Sequence, residues 1–266
     1  MNLARNLSCV GVGLAKKSLG QNFLVDSNVA YKIISHLDVQ PQDKVLEIGP
    51  GQGALTFKLL ELTPDLTVIE KDFKLAAHIK SFKPEIDVIV MDVMDFAWQA
   101  LAGEYNWKLI GNLPYNIASP LIWDLVSGCY SCKRAVFTVQ KEVAQRIVAK
   151  PGSKKYGAIS VWVQSFVVPK LLFSIGSQVF RPRPKVDSAV ISMDPVPQEK
   201  RFDCPQKLAN LLHLCFQQRR KQLGTILKRH WTPVMSRWIA SHGLDTRVRP
   251  EQLSPGQFQE LALLLG

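Results

Sequence analysis

Between about residues 28 and 165 the chain alternates two textures, and this alternation restricts the fold more than any other feature. "NVAYKIISHL", "GALTFKLLEL", "KLAAHIKSF", "SPLIWDLVSG" and "KEVAQRIVA" carry apolar residues at helical spacing. Between them lie short apolar runs bounded by turns: "KVLEIG", "LTVIEKD", "IDVIVMD", "WKLIGNLPY" and "RAVFTVQ". Strands covered on both faces read as continuous apolar runs, and amphipathic helices between them serve as crossovers of a parallel sheet. The pattern predicts an α/β fold with helices on both faces of a mostly parallel sheet. "AISVWVQSFV" is expected to be a further strand, and "KVDSAVISM" another after a proline-rich loop. Strands joined near the end without an intervening helix predict an antiparallel hairpin that closes the sheet.

The texture then changes. "DPVPQEKRFDCPQ" (194–206) combines three prolines with mixed charge, as linkers do. Beyond it only helical patterns follow, among them "KLANLLHLCFQQRRKQLGTIL" and "PGQFQELALLL". The expected division is 1–195 for the α/β domain with an N-terminal arm, and 196–266 for a small all-helical domain.

Charge narrows the partner class. The net charge is +11, and residues 196–266 carry 11 Lys and Arg against 5 Asp and Glu. Such a balance suits a polyanion, because basic side chains release counterions from phosphates on binding. Ordinary solubility charge is the bland alternative. There is no apolar run of about 18 residues, so no membrane span is expected. The start, "MNLARNLSCVGVGLAKK", has no small-x-small cleavage site and reads as an arm, not a signal peptide. The five cysteines are scattered, and a lone "CYSC" without histidines at ligand spacing points to a reducing cytoplasm rather than to metal.

Four stretches carry chemistry. In "VLEIGPGQGALT", Gly49, Gly51 and Gly53 stand at alternate positions between a strand and a helix, two residues after Glu47. Glycines let a backbone turn sharply and a ligand approach closely. The dinucleotide fingerprint is G-x-G-x-x-G; here the spacing is G-x-G-x-G, and the acid would repel a pyrophosphate but suit a cation. S-adenosylmethionine, with an ammonium and a sulfonium, is favoured over a nicotinamide cofactor. Glu70 closes the second strand and is suited to ribose hydroxyls, although a solvated helix cap would look the same. Asp92, directly off the third apolar run, is suited to an adenine amine; Asp95 competes for that role.

The fourth stretch is "GNLPYNIASP" (111–120). Pro and Asn punctuate turns for local reasons. The sharper reading is a clamp for an aromatic amine, whose lone pair is delocalised into its ring. Acceptors at the two amine hydrogens, the Asn112 side-chain oxygen and the Leu113 carbonyl, favour a pyramidal nitrogen with its lone pair aimed at an incoming methyl group. Pro114 fixes the local backbone, and Tyr115 offers a stacking face for a flipped base.

"SLGQNFL", "EIGPGQGALT", "NLPYNIAS", "QKEVAQRI" and "FRPRPKVDSAVI", in this order, resemble the ribosomal RNA adenine N6,N6-dimethyltransferases. "CFQQRRKQL" is similar to the small-subunit branch of that family. The resemblance implies a Rossmann-like S-adenosylmethionine-dependent methyltransferase domain with a small helical C-terminal domain. It also implies dimethylation of two adjacent adenines in a hairpin loop of small-subunit rRNA, and action as a cytoplasmic monomer with a role in ribosome biogenesis. By resemblance, Asn22 and Leu24 lie against the cofactor with Gly49, Glu70, Asp92 and Asn112, and Phe180 stacks on the target base opposite Tyr115. The family's loop commonly reads F-x-P-P-P; here Arg183 replaces the middle proline. A large-subunit methylase of the antibiotic-resistance type shares the clamp, and a non-catalytic RNA-binding assembly or transcription factor shares the fold. Lys154 and Lys155 in "KPGSKKYG", and Arg219, Arg220 and Lys221, are expected phosphate contacts, unless they are plain solvated surface.

Overall fold

The computed structural model describes residues 20–63, 65–101, 107–129 and 131–265. The expected arm therefore lies mostly outside the described residues. The chain begins with β1 (Phe23–Leu24) and α1 (Ser27–Ser35), followed by β2 (Lys44–Ile48), α2 (Thr56–Leu59), β3 (Leu66–Glu70), α3 (Phe73–Phe82) and β4 (Asp87–Val90). Next come β5 (Trp107–Asn112), α4 (Ala118–Gly128), β6 (Cys132–Gln140), α5 (Lys141–Ile147) and α6 (Ala158–Gln164). Three strands follow: β7 (Val167–Ile175), β8 (Phe180–Arg181) and β9 (Ser188–Pro195). The tail holds α7 (Pro205–Gln217), α8 (Leu223–Ile226), α9 (Pro233–Ser241) and α10 (Pro255–Leu264).

The main sheet has seven strands in the order β4-β3-β2-β5-β6-β9-β7. The first five are parallel, so that Leu46 of β2 stands between Thr67 of β3 and Leu109 of β5. β9 runs antiparallel to both β6 and β7, which gives the expected closing hairpin. Chain order reverses at β2, with β3 and β4 on one side and β5 and β6 on the other. In open parallel sheets that reversal leaves a crevice beyond the strand C-termini, where ligands bind.

Successive strand residues face opposite sides. Val45 accordingly joins a core with Ile33, Leu37, Val68, Ile110 and Val136, while Leu46 and Ile48 join a second core with Leu109 and Phe137. The tail belongs to the second: Leu208, Leu211, Leu212, Phe258 and Leu261 pack in one cluster with side chains of α4 and α6. Among the described residues, no helix is long and apolar enough to cross a membrane.

Three local expectations fail for identifiable reasons. "AISVWVQSFV" begins not as a strand but as α6, capped at Gly157, whose amide donates to Ser160 Oγ at 3.0 Å. An uninterrupted apolar run fits a helix buried on several sides as well as a strand. Here Trp162 stacks flat on Trp123 of α4, ring centroids 4.1 Å apart. The strand comes later, as β7, and contains Pro169; proline lacks the amide that a central strand needs, and β7 is an edge. In "GALTFKLLEL" only Thr56–Leu59 are α-helical. The long pattern after residue 205 breaks at Gln218–Gln222 between α7 and α8.

Candidate active site

A cavity opens beyond the C-terminal ends of β2, β3 and β5, and β1 contributes to its wall. It is lined by Asn22, Leu24, Glu47, Gly49, Glu70, Asp92, Asn112, Leu113, Pro114 and Tyr115, among others. All the expected cofactor residues and the four residues of the amine clamp thus meet in one place, although they are spread over more than 90 positions of sequence. Asp95 does not line it.

The glycine loop is held open by its neighbours. Gly49 has φ +67°, and a Cβ there would meet no protein atom within 4 Å. Because Gly49 lines the cavity, a side chain at that position would be strained and would intrude on the ligand space. Gly51 has φ +55°, and a Cβ would come within 2.9 Å of the Phe23 ring, so only glycine lets β1 close over the loop. The Glu70 carboxylate ties this loop to β3: Oε2 accepts from Gly51 N at 3.2 Å and Oε1 from Asp72 N at 2.8 Å.

Glu47 is 1% exposed, and its Oε2 has no hydrogen-bond partner among the described residues. The Thr56 hydroxyl approaches the carboxyl group, yet its Oγ1 completes no hydrogen bond either. Burial, reinforced by the nearby Glu70 charge, pushes the Glu47 carboxyl up to about 8. Burial also raises Glu70. An orphaned buried carboxyl group on the wall of a cavity is complementary to a ligand that brings a cation or a donor.

At the far side of the loop, Asp92 Oδ1 accepts from Met94 N at 3.0 Å, and Oδ2 pairs with Lys71 Nζ at 2.5 Å. That pairing holds the Asp92 carboxylate below its usual range. Lys71 also lines the cavity and carries no sequence signal beyond its place after Glu70.

The clamp is built where β5 runs into α4. Asn112 Nδ2 donates to the Asn22 carbonyl at 2.8 Å. A carbonyl only accepts, so the NH2 end of Asn112 must face Asn22, and among the described residues no donor reaches Oδ1. Leu113 N donates to Thr138 O at 3.0 Å, and no described donor reaches the Leu113 carbonyl. The Pro114 carbonyl accepts from Ile117 N and Ala118 N, both at 3.1 Å, which starts α4 directly behind the clamp. Two acceptors from adjacent residues are thereby left open on one cavity wall. Tyr115 is held from below, its hydroxyl 2.6 Å from Ser188 Oγ at the start of β9. Ser188 lies inside "KVDSAVI", a stretch conspicuous in sequence but with no side-chain role attached to it.

Phe180 is placed elsewhere. It was expected as a stacking platform opposite Tyr115, but it is 1% exposed and does not line the cavity. β8 pairs with β1, setting Phe180 opposite Leu24, and its ring joins the core of Ile110, Val136, Ile175 and Val190. An apolar ring on a short strand over a core loses more by facing water than by packing beneath.

The basic tail also divides. Arg219 Nε pairs with Glu251 at 2.6 Å, and its NH2 group donates to the carbonyls of Lys154 and Ser153 at 2.9 and 3.4 Å. It fastens the end of α7 to the 150–156 loop and is not a free cation. Lys154, Lys155, Arg220 and Lys221 are exposed around that fastening.

A glycine loop at the reversal of a parallel sheet, followed by a hairpin-closed edge, defines a Rossmann-like methyltransferase. The chain matches the family described as "Ribosomal RNA adenine dimethylase" over residues 13–265, and it belongs to that family. It is 51% identical over 256 residues to the "Ribosomal RNA small subunit methyltransferase A" of Oleidesulfovibrio alaskensis, covering 94% of this chain and 91% of the relative. It is 50% identical to the protein of the same name from Maridesulfovibrio salexigens, covering 93% and 94%. A solved dimethyladenosine transferase from Plasmodium falciparum superposes with a TM-score of 0.76 at 27% identity, covering 91% of this chain and 96% of that one. The 23S rRNA methyltransferase ErmE shares the fold, with a TM-score of 0.65 at 23% identity over 92% and 99% of the two chains.

Proposed function

We propose that the protein transfers methyl groups from S-adenosylmethionine to N6 of two adjacent adenines in a hairpin loop of small-subunit rRNA, two to each. The observation that carries this reading is the pair of open acceptors, Asn112 Oδ1 and the Leu113 carbonyl, on a cavity that also holds the orphaned Glu47 carboxyl group. The names of the Oleidesulfovibrio and Maridesulfovibrio relatives favour the small subunit over the large.

S-adenosylmethionine, when bound, supplies an electrophilic methyl group on a sulfonium. The cavity residues fit it: Glu47 for the cationic amino acid end, Glu70 for ribose hydroxyls, Asp92 for the adenine amine, and Gly49 for close backbone approach, with Asn22, Leu24 and Asn112 beside them. Asn112 Oδ1 and the Leu113 carbonyl accept the two hydrogens of the target amine in the first transfer, and the one that remains in the second, and so turn its lone pair out of the base plane. Pro114 and the first turn of α4 keep those acceptors from relaxing. The Tyr115 ring carries the base. Preorganised acceptors need no reorientation as the nitrogen changes geometry, and this is where such sites gain rate. Residues 196–266, with Arg220 and Lys221 at the surface, are assigned to rRNA contact, and action as a cytoplasmic monomer belongs to the same proposal.

The test is transfer of tritiated methyl groups to separate immature small and large subunits, with mapping of the labelled base. Dimethyladenine on the small subunit alone is expected. Label on the large subunit alone would overturn the assignment.

A further inference from the structure

The segment 181–187, "RPRPKVD", is fastened at both ends to walls of the cavity. At its start Arg181 pairs with Phe23, and Phe23 lines the cavity. Just past its end, Ser188 Oγ is bound to the hydroxyl of Tyr115, which lines it too. The segment therefore runs between two residues of the cavity wall, although none of 181–187 lines the cavity itself.

Its chemistry is that of an anion grip. Arg181, Arg183 and Lys185 are exposed at alternate positions, and Asp187 is the single acid among them. Among the described residues, no ion pair neutralises any of the three cations. Arg183 is held by its stem: Nε donates to Ser177 Oγ at 2.8 Å, while its terminal NH2 groups meet no described acceptor. Arg181 spends NH1 on the carbonyls of Gln178 and Phe180, both at 3.0 Å. Pro182 and Pro184 fix φ between the cations and limit the ways in which the segment can collapse. A guanidinium anchored at Nε and open at its fork matches the geometry of a phosphate. A plain solvated loop has no need for such an anchor.

We infer that Arg183 and Lys185 grip the RNA phosphates flanking the nucleotide whose base enters the cavity. The inference rests on the proposed RNA substrate. Enzymes that act on an unstacked base must hold the backbone on either side of it, and phosphate contacts set that register. Arg183 thus has a use of its own where the family pattern commonly has proline.

The experiment measures binding of immature small subunits to the full-length protein as a function of salt, for wild type, Arg183→Gln, Lys185→Gln, the double variant, Arg183→Lys and Lys83→Gln. Lys83, exposed at the end of α3, reports generic charge. S-adenosylmethionine affinity of each variant checks that the site is folded, and it should stay within about twofold of wild type. Each Gln substitution in this segment should flatten the log–log salt dependence by about 0.7–0.9. Arg183→Lys should restore the slope, and Lys83→Gln should not move it. Unchanged slopes in the double variant, or an equal change in Lys83→Gln, would overturn the inference while leaving the methylation reading intact. A wild-type protein that neither binds nor methylates subunits would instead sink that reading, and the inference with it.

Discussion

The Tyr115 hydroxyl and Ser188 Oγ lie 2.6 Å apart, and this contact ties the clamp that follows β5 to β9, in the antiparallel part of the sheet. Ser188 is fully buried, so removing its partner strands a hydroxyl group away from water. Tyr115→Phe should therefore cost about 1–2 kcal/mol of stability in urea unfolding while keeping the ring and most of the transfer rate. Tyr115→Ala should in addition lose a stacking face of about 1–3 kcal/mol in substrate binding. Adding Ser188→Ala to Tyr115→Phe should recover part of the loss, because both polar groups are then gone. Strict additivity of the two single variants would deny the coupling.

Asn112 is fixed at one end and open at the other. Asn112→Ala should slow single-turnover methyl transfer by on the order of a hundredfold, the usual loss for one preorganised polar group. RNA affinity should stay near wild type, since phosphate contacts elsewhere supply most of it. A near-normal rate would return N-L-P-Y to the status of a turn.

Glu47 gives the site a pH signature. Its carboxyl group is pushed up to about 8 in the fold, against a reference of 4.5. Between these values the folded chain holds a proton that the unfolded chain has released, so this contribution to stability is complete below pH 4.5 and is lost as pH rises through about 8. A cationic ligand favours the ionised form, so S-adenosylmethionine should release protons on binding at pH 7, and its affinity should rise toward pH 8. Glu70 shifts in the same direction, and the difference between wild type and Glu47→Gln isolates the one group. Calorimetry in buffers of different ionisation heat reads the proton count; an equal count in both proteins would refute the assignment.

Arg219 and its neighbours should separate in experiment. Arg220→Gln and Lys221→Gln should each flatten the salt dependence of RNA binding by about 0.7–0.9 without shifting the melting temperature. Arg219→Gln breaks an ion pair and two carbonyl contacts, so it should lower the melting temperature and increase amide exchange in residues 150–156.

Much of the fold was legible because the parallel core announces itself. β2, β3, β4 and β5 are apolar runs that end at or just before Gly49, Glu70, Asp92 and Asn112, and residues at strand ends in such sheets converge at the reversal of chain order. That Gly49, Glu70 and Asp92 share one cavity wall could be read for that reason. What escaped was tertiary. Trp162 sits in a helix because Trp123 offers its ring a parallel face, and periodicity carries no record of that partner. Phe180 turned inward because a two-residue strand had a core beneath it. Arg219 looked like its neighbours until Glu251 was brought beside it from 32 positions away.

The shared core of sheet and tail has a consequence for exchanging parts between relatives. The buried leucines of α7 and α10 close against α4 and α6, so a cut at the proline-rich stretch near residue 195 would bare an oily face on both fragments. The tail is consequently not a cassette. Grafting another relative's tail to redirect this enzyme to a different RNA would require its contact face on α4 and α6 to be transplanted as well, and the chimera would melt as one cooperative body or not fold.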